Sequence, residues 1–575
     1  MLCPDPPDLE PLQRTLCFSL IGAGILLSLQ LAFPRSADRL SSFVRRKLSR
    51  LARKPVLCAW VLFLGVILVR LALLARFPVP VPGVHDEFSY LLMADTFAHG
   101  RLSNPPHPMW ISLETFHVNW FPRYASMYPP AQGVVLAIGQ ILGSPWIGVL
   151  LSSAAMCAVI YWMLLAWVPR RWALLGGVVV WLKFGMTHYW INSYWGGAVA
   201  ATGGALLLGA LGRLRRKSRA RDALLFGFGL AILANSRPFE GLLFSLPAGL
   251  YLLYGLLRPA PAEVTAAARR KAVLIPLFAV LLVTALAMAG YNHNLTGHAF
   301  LFPESLNIRA YHTAPMWIFE ASKPPLSYRN EQFEDFYNGW ERTEYDHTWE
   351  SLRCITWLKT VRLFAAFGWW GMLLAVPGLA FALRDRLLRL PWIMLLLVAI
   401  GTFLVVWSNA HYAAPVTGIV ILLFVQSLRH LRLMRCGTGR QRTRGWRNWN
   451  WGAAMARTSL ILLLADTAAA VIQKQCDTFY WTCQGDISRL VIQRKLEALP
   501  GKHLVIVRYG DDHNIHDDWV YNGAAIDSAK VVWAREIDED QDAKLFGYFR
   551  DRKVWLVTPD SDNTYLAPYT PPPDR

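Results

Sequence analysis

Three stretches of the sequence gather side chains that can move a proton or hold an anion. Asp86 and Glu87 stand side by side after His85, at the end of a Pro-rich run (Pro78, Pro80, Pro82). From Glu87 onward apolar residues recur at helical spacing, so the pair caps and opens an amphipathic helix. The same position suits a carboxylate acting as a general base, because it borders both an apolar surface and water. Arg237 stands between two apolar stretches, flanked by Ser236 and Pro238. Its planar fork matches the oxygens of a phosphate; the competing partner is Glu240, one helical turn on. Lys183 offers a similar choice between an anion and the nearest water. His411 and Tyr412 follow Asn409 at the start of another apolar run, where aromatic side chains commonly mark a membrane boundary.

Two further groups are less specific. Arg123, Tyr124 and Tyr128 precede Pro129, Pro130 and Gln132, which open a short apolar stretch from Ala131 to Leu142. That stretch is too short to span comfortably and reads as an interfacial or re-entrant helix. Nearer the C-terminus, Asp511, Asp512, His513, Asn514, His516, Asp517 and Asp518 follow a strand-like run. Such a cluster can ligate a cation, or it can be the solvated, capping end of a loop.

The elements that must position these residues are membrane spans. Of the 575 residues, 54% are hydrophobic and 17% charged, against about 25% charged in a soluble protein. About twelve apolar windows, from Leu16–Phe33 to Trp451–Val471, approach the roughly 20 residues that cross a bilayer. The expected fold is therefore mainly α, a polytopic transmembrane helix bundle. A formal charge of +19 would ordinarily suggest nucleic acid. Yet 30 of the 58 Lys and Arg fall in six strips on alternate connections: Arg35 to Lys54, Arg170 and Arg171, Arg213 to Arg221, Arg258 to Lys271, Arg384 to Arg389, and Arg429 to Arg447. Those strips mark cytoplasmic loops. Strips beside spans do not make the single solvent-facing patch that nucleic acid requires, which excludes it as a partner. A basic cluster after the first apolar run also marks that run as a retained anchor rather than a cleaved leader.

The chain accordingly divides into an anchor helix with a basic loop (1–54), a transmembrane region (55–471) with outer loops at 76–130 and 291–360, and an outer C-terminal domain (472–575). Strand-like runs at His503–Tyr509, Lys530–Arg535 and Lys553–Thr558, with a helix from Asp540 to Asp551, give the last part a small α/β fold with a partly parallel sheet. The N-terminus, both loops and this domain are expected outside the cytoplasm. The second loop carries Trp317, Trp340, Trp349, Glu331 and Asp335, a composition that suits stacking on sugars or forming a lid. Cys476 and Cys483 are near enough in sequence to pair in a disulfide-permissive compartment.

This arrangement resembles the GT-C glycosyltransferases, in particular relatives of dolichyl-phosphate-mannose protein mannosyltransferases and of lipid A aminoarabinose transferases. The resemblance covers roughly residues 56–428. It rests on Asp86 and Glu87 opening the first large outer loop, the Pro129–Pro130 helix, the Ser236, Arg237, Pro238 turn, and His411, Tyr412 and Pro415. It implies a bacterial inner-membrane enzyme with its site on the outer face, transferring a sugar from a polyprenyl-phosphate donor to an extracytoplasmic acceptor, with inversion. Asp86 and Glu87 would be catalytic. Arg123, Tyr128, His188, Arg237, His411 and Tyr412 would bind substrate.

The sequence departs from the family twice. Tyr128 stands where relatives often carry a Lys before the Pro pair, which leaves the donor phosphate to Arg237. The turn from Thr187 to Trp195 offers His188, Tyr189, Asn192 and Tyr194 but no carboxylate. No cofactor is then required, although a divalent metal remains compatible with the chemistry. The same spans also admit a secondary transporter or flippase, and the same donor serves a lipid-linked glycan polymerase or ligase; paired inverted repeats, the mark of many transporters, are not evident. The topology has a direct test. Single cysteines at Ser89 and Ser528 in a cysteine-free background are expected to react with an impermeant thiol reagent in intact cells, and labelling only after permeabilisation would overturn the orientation.

Overall fold

The structure, a computed structural model, describes residues 10–258, 265–345, 349–433, 451–474, 476, 485, 487–560 and 565–569. Helices form where the apolar windows lie. Among the described residues nine are long and apolar enough to cross a membrane, or ten if one bent pair counts as a single span. Two of the twelve expected windows form shorter helices, Arg170–Phe184 and Ala220–Ala234, each of 15 residues. At 1.5 Å per residue they rise about 22 Å, short of the roughly 30 Å hydrocarbon core.

The window expected as one span from Val361 to Leu383 is instead broken by 86° between Phe367 and Trp370. A break exposes helix-end carbonyls that need partners. Lys183 donates to the Ala365 carbonyl at 2.8 Å, and His188 Nε2 lies 3.2 Å from that of Ala366. Both polar residues therefore hold the bend.

Ahead of the large loops, Pro34–Leu51 is an amphipathic helix with no buried residue, its Leu40, Phe43 and Val44 exposed beside a basic face. The short helix expected after Pro129 runs from Pro130 to Ile141 and turns directly into Pro145–Leu164. The two cross at glycines: a Cβ on Gly148 would stand 2.1 Å from the Val135 carbonyl oxygen, and one on Gly139 would stand 2.3 Å from the Gly148 nitrogen. Only glycine allows so close a backbone approach.

The C-terminal unit is a four-stranded sheet in the order β4-β3-β5-β6, with β3 Lys502–Val507, β4 Val531–Arg535, β5 Arg552–Thr558 and β6 Tyr565–Pro568. β3 pairs in parallel with β4 and β5, and β6 runs antiparallel to β5. The parallel return from β4 to β5 needs a crossover, supplied by helix Glu539–Tyr548, whose Asp538 cap accepts from the Gln541 N–H at 2.8 Å. β3 is buried on both faces. One face shares a core with Leu92, Leu113, Val118, Trp120 and Tyr124 of the first large loop, the other with Ile492, Leu496 and Trp519. Cys476 is disulfide-bonded, whereas Cys483 lies outside the described residues, as does most of the basic strip from Arg429 to Arg447.

Candidate active site

The helix His85–Ala98 begins after an extended Val84. Successive helical residues point about 100° apart, so its first three side chains take three different directions. His85 stacks on Phe116, ring centres 4.2 Å apart, with Nε2 3.0 Å from the Ile515 carbonyl of the C-terminal unit. Burial holds its pKa well below the usual value, so the ring is neutral. Glu87 is fully buried and accepts from the Gly83 N–H at 2.8 Å and the Tyr194 N–H at 2.7 Å. Asp86 faces a large cavity, of about 730 Å³, which His85 also lines and Glu87 does not.

Asp86 is clamped on one oxygen. His117 Nδ1 lies 2.8 Å from Oδ1, the Tyr128 hydroxyl donates to the same atom, and that hydroxyl sits 3.1 Å from His117 Nδ1. Among the described residues no protein group bonds Oδ2. His117 has φ +58°, a left-handed conformation uncommon for a residue with a Cβ. It is held there by its carbonyl, which accepts from Ser89 Oγ at 2.7 Å and Met127 N–H at 3.2 Å. The neighbouring hairpin pairs β1 Val118–Asn119 with β2 Ala125–Ser126, and Tyr128 stacks on Tyr90 at 4.6 Å. Ser89 is buried in this network, so Leu102, 50% exposed, is the better labelling position in this loop.

Arg237 enters the cavity from the N-terminus of helix Pro238–Leu257, its guanidinium 4.0 Å from the centre of the Tyr412 ring. Among the described residues no ion pair within 4 Å joins it to Glu240. Glu304, on helix Pro303–Ala310, also lines the cavity. Burial raises its pKa, opposed by the charges of Arg237 and His312. Trp340, Tyr345 and Trp407 form an aromatic wall, and Asn514 and His516 reach in from the C-terminal unit. The His516 ring stands edge-on to Trp340 at 4.6 Å, and burial lowers its pKa to about 4.

The structure thus brings together Asp86, Tyr128, Arg237 and Tyr412 of the residues expected from sequence. It directs others elsewhere. Glu87 anchors backbone; Arg123 is exposed; His188 secures the helix bend; His411 is buried with Nδ1 3.3 Å from the Tyr189 hydroxyl and its ring on Trp195. Tyr128 spends its hydroxyl on Asp86. The acidic cluster of the tail is divided: Asp518 pairs with Arg535 at 3.2 Å, both buried, and His513 with Asp560 at 2.8 Å. Among the described residues no group of three or more His, Cys, Asp or Glu is arranged to hold a metal ion. His117, Glu304 and His312 escaped the sequence reading, and His516 entered it only as part of the acidic tail cluster; only their neighbours in space give them meaning.

The fold and the cavity define a polytopic helical membrane protein with a largely apolar pocket that carries a few charged side chains and is roofed by an α/β unit. No family model and no curated protein matches the chain. Among solved structures it is similar to ArnT from Cupriavidus metallidurans in the apo state, at 14% identity and a TM-score of 0.49, over 87% of this chain and 92% of that one. The same protein bound to undecaprenyl phosphate gives 15% and 0.46 over the same shares. The oligosaccharyltransferase of Archaeoglobus fulgidus tethered with an acceptor peptide gives 13% and 0.43, over 86% of this chain and 69% of that one.

Glu87 yields a pH test. Burial pushes its carboxyl up to about 8, against the pull of the Gly83 and Tyr194 N–H groups. With the folded value above the unfolded one, folding takes up a proton between about pH 4.5 and 8, and stability falls as pH rises through that window. Glu87→Gln cannot ionise, so its melting temperature is expected to depend less steeply on pH there than the wild type's. Equal slopes would move the titration to another group.

Proposed function

We propose that this protein is an integral-membrane glycosyltransferase that moves a sugar from a polyprenyl-phosphate donor to an extracytoplasmic acceptor, inverting the anomeric carbon. The observation that carries the reading is Asp86, clamped through Oδ1 with Oδ2 open to a cavity that Arg237 also lines. An acceptor hydroxyl attacks the anomeric carbon, Asp86 Oδ2 takes its proton, and the bond from that carbon to the phosphate oxygen breaks. Charge grows on the departing lipid phosphate, where Arg237, held against Tyr412, offers two parallel N–H donors. Tyr128 and His117 fix the Asp86 rotamer and keep its second oxygen aimed at the acceptor. The aromatic wall gives a sugar ring flat apolar faces to stack on. Orientation with the cavity outside the cytoplasm follows from the basic strips on alternate loops.

Two measurements test it. Asp86→Asn is expected to lower turnover by about 10²-fold or more while melting like the wild type, since the amide keeps the shape but takes no proton; substantial residual turnover removes Asp86 as base. Arg237→Lys is expected to weaken donor binding and turnover by about tenfold, and Arg237→Ala by more. If Arg237 served only to neutralise Glu240, the double change Arg237→Ala with Glu240→Ala would restore activity; no rescue is expected. Lipid-linked sugars accumulating in a deletion strain, read by mass spectrometry, would identify the donor.

A further inference from the structure

His312 follows the Glu304 helix and lies on the cavity wall, 7% exposed. Its Nδ1 is 2.6 Å from Oε1 of Glu341, a carboxylate with no exposed surface. The other Glu341 oxygen accepts from the Thr313 and Ala314 N–H groups, each at 3.1 Å. The carboxylate is therefore an acceptor on every side, which places a proton on His312 Nδ1 and aims the opposite nitrogen away from it. That nitrogen, Nε2, is buried with no hydrogen-bond partner. A buried polar atom without a partner is costly in a finished fold and calls for a ligand. The ring is also fixed in plane: it lies parallel to His117 at 6.0 Å and edge-on to Trp407 at 5.7 Å and Tyr337 at 5.0 Å.

From this geometry we infer that His312 is a phosphate-binding residue, its Nε2–H donating to an anionic oxygen of the substrate headgroup that Arg237 holds from another side. The inference rests on the reading of the cavity as a polyprenyl-phosphate site. Glu304 stands near enough to both His312 and Arg237 to feel their charges. Burial raises its pKa, and to that extent lessens its repulsion of an anion.

The two ring nitrogens can be separated by substitution. Asn reaches the Nδ1 position and keeps the bond to Glu341, whereas Gln reaches the Nε2 position and keeps a donor towards the cavity. Equilibrium binding of undecaprenyl phosphate to the purified full-length protein in nanodiscs is the readout, with melting curves alongside. His312→Gln is expected to bind within a few-fold of the wild type. His312→Asn is expected to melt like the wild type but to bind about ten- to a hundredfold more weakly, the usual range for a lost hydrogen bond to a charged group. Inorganic phosphate as competitor separates the headgroup from the lipid chain: its displacing power should fall in the same variant. Asn binding as tightly as wild type, or phosphate competing equally well in both, overturns the role of His312 and leaves the wider reading intact. A wild type that fails to bind undecaprenyl phosphate at all overturns both.

Discussion

The segment Thr187–Trp195 is held by a buried arginine and a buried carboxyl group, and the cavity depends on it. Arg70, completely buried at the end of helix Pro55–Ala72, donates to Asn192 Oδ1 at 2.8 and 3.1 Å and to the carbonyls of Phe77 and Pro78. Glu87 accepts from Gly83 and Tyr194. A charge buried this deeply is tolerated only if its hydrogen-bonding groups are satisfied, and here the partners are mostly backbone dipoles. The helix ends, the Pro-rich run and the segment are therefore conditional on one another. When Arg70 and Glu87 are satisfied, the first turn of the next helix has one orientation, and Asp86 faces the cavity.

The same economy recurs around Asp86. Its neighbours on either side are buried and immobilised in other tasks, so a pair of adjacent acids yields one open carboxylate and one structural one. His117 keeps an unfavourable backbone conformation because two hydrogen bonds to its carbonyl and the β1–β2 hairpin over-determine it, a common signature of functional positions. The membrane-facing half of the cavity, at Arg237 and Tyr412, comes from helix ends, while the opposite half comes from loops and the C-terminal sheet. Under the proposed function, a lipid headgroup and a water-borne acceptor approach from different sides.

Much of this was legible in the sequence because it depends on local periodicity. The helix bundle, the helix after Pro129 and the partly parallel sheet all follow from patterns within single segments, and the strand positions agree with the structure to within two residues. Asp86, Arg237 and Tyr412 were findable for a related reason, since each sits at an element end where a polar group interrupts an apolar run. His117, Glu304, His312 and Glu341 lie in loops whose course is set by tertiary contacts, and no spacing in the chain links them. The helices Arg170–Phe184 and Ala220–Ala234 could not be told in the sequence from longer ones, because hydropathy measures apolarity and not length. Lys183, which the sequence left between water and an anion, and His188, expected to bind substrate, are partners for helix carbonyls freed by a bend, a demand that becomes visible only once the bend exists.

The Ile515 carbonyl against His85, and His516 against Trp340, make the C-terminal unit part of the pocket wall. Synthesis proceeds from the N-terminus, and domains fold as they emerge. The membrane helices can therefore be inserted and packed while the cavity still lacks its roof, and the site is completed only when the β3–β4 region has emerged and folded onto the first large loop. Assembly order thus acts as a form of timing: a partly made chain holds Asp86 in an open cleft, with neither His516 nor Asn514 to enclose a substrate.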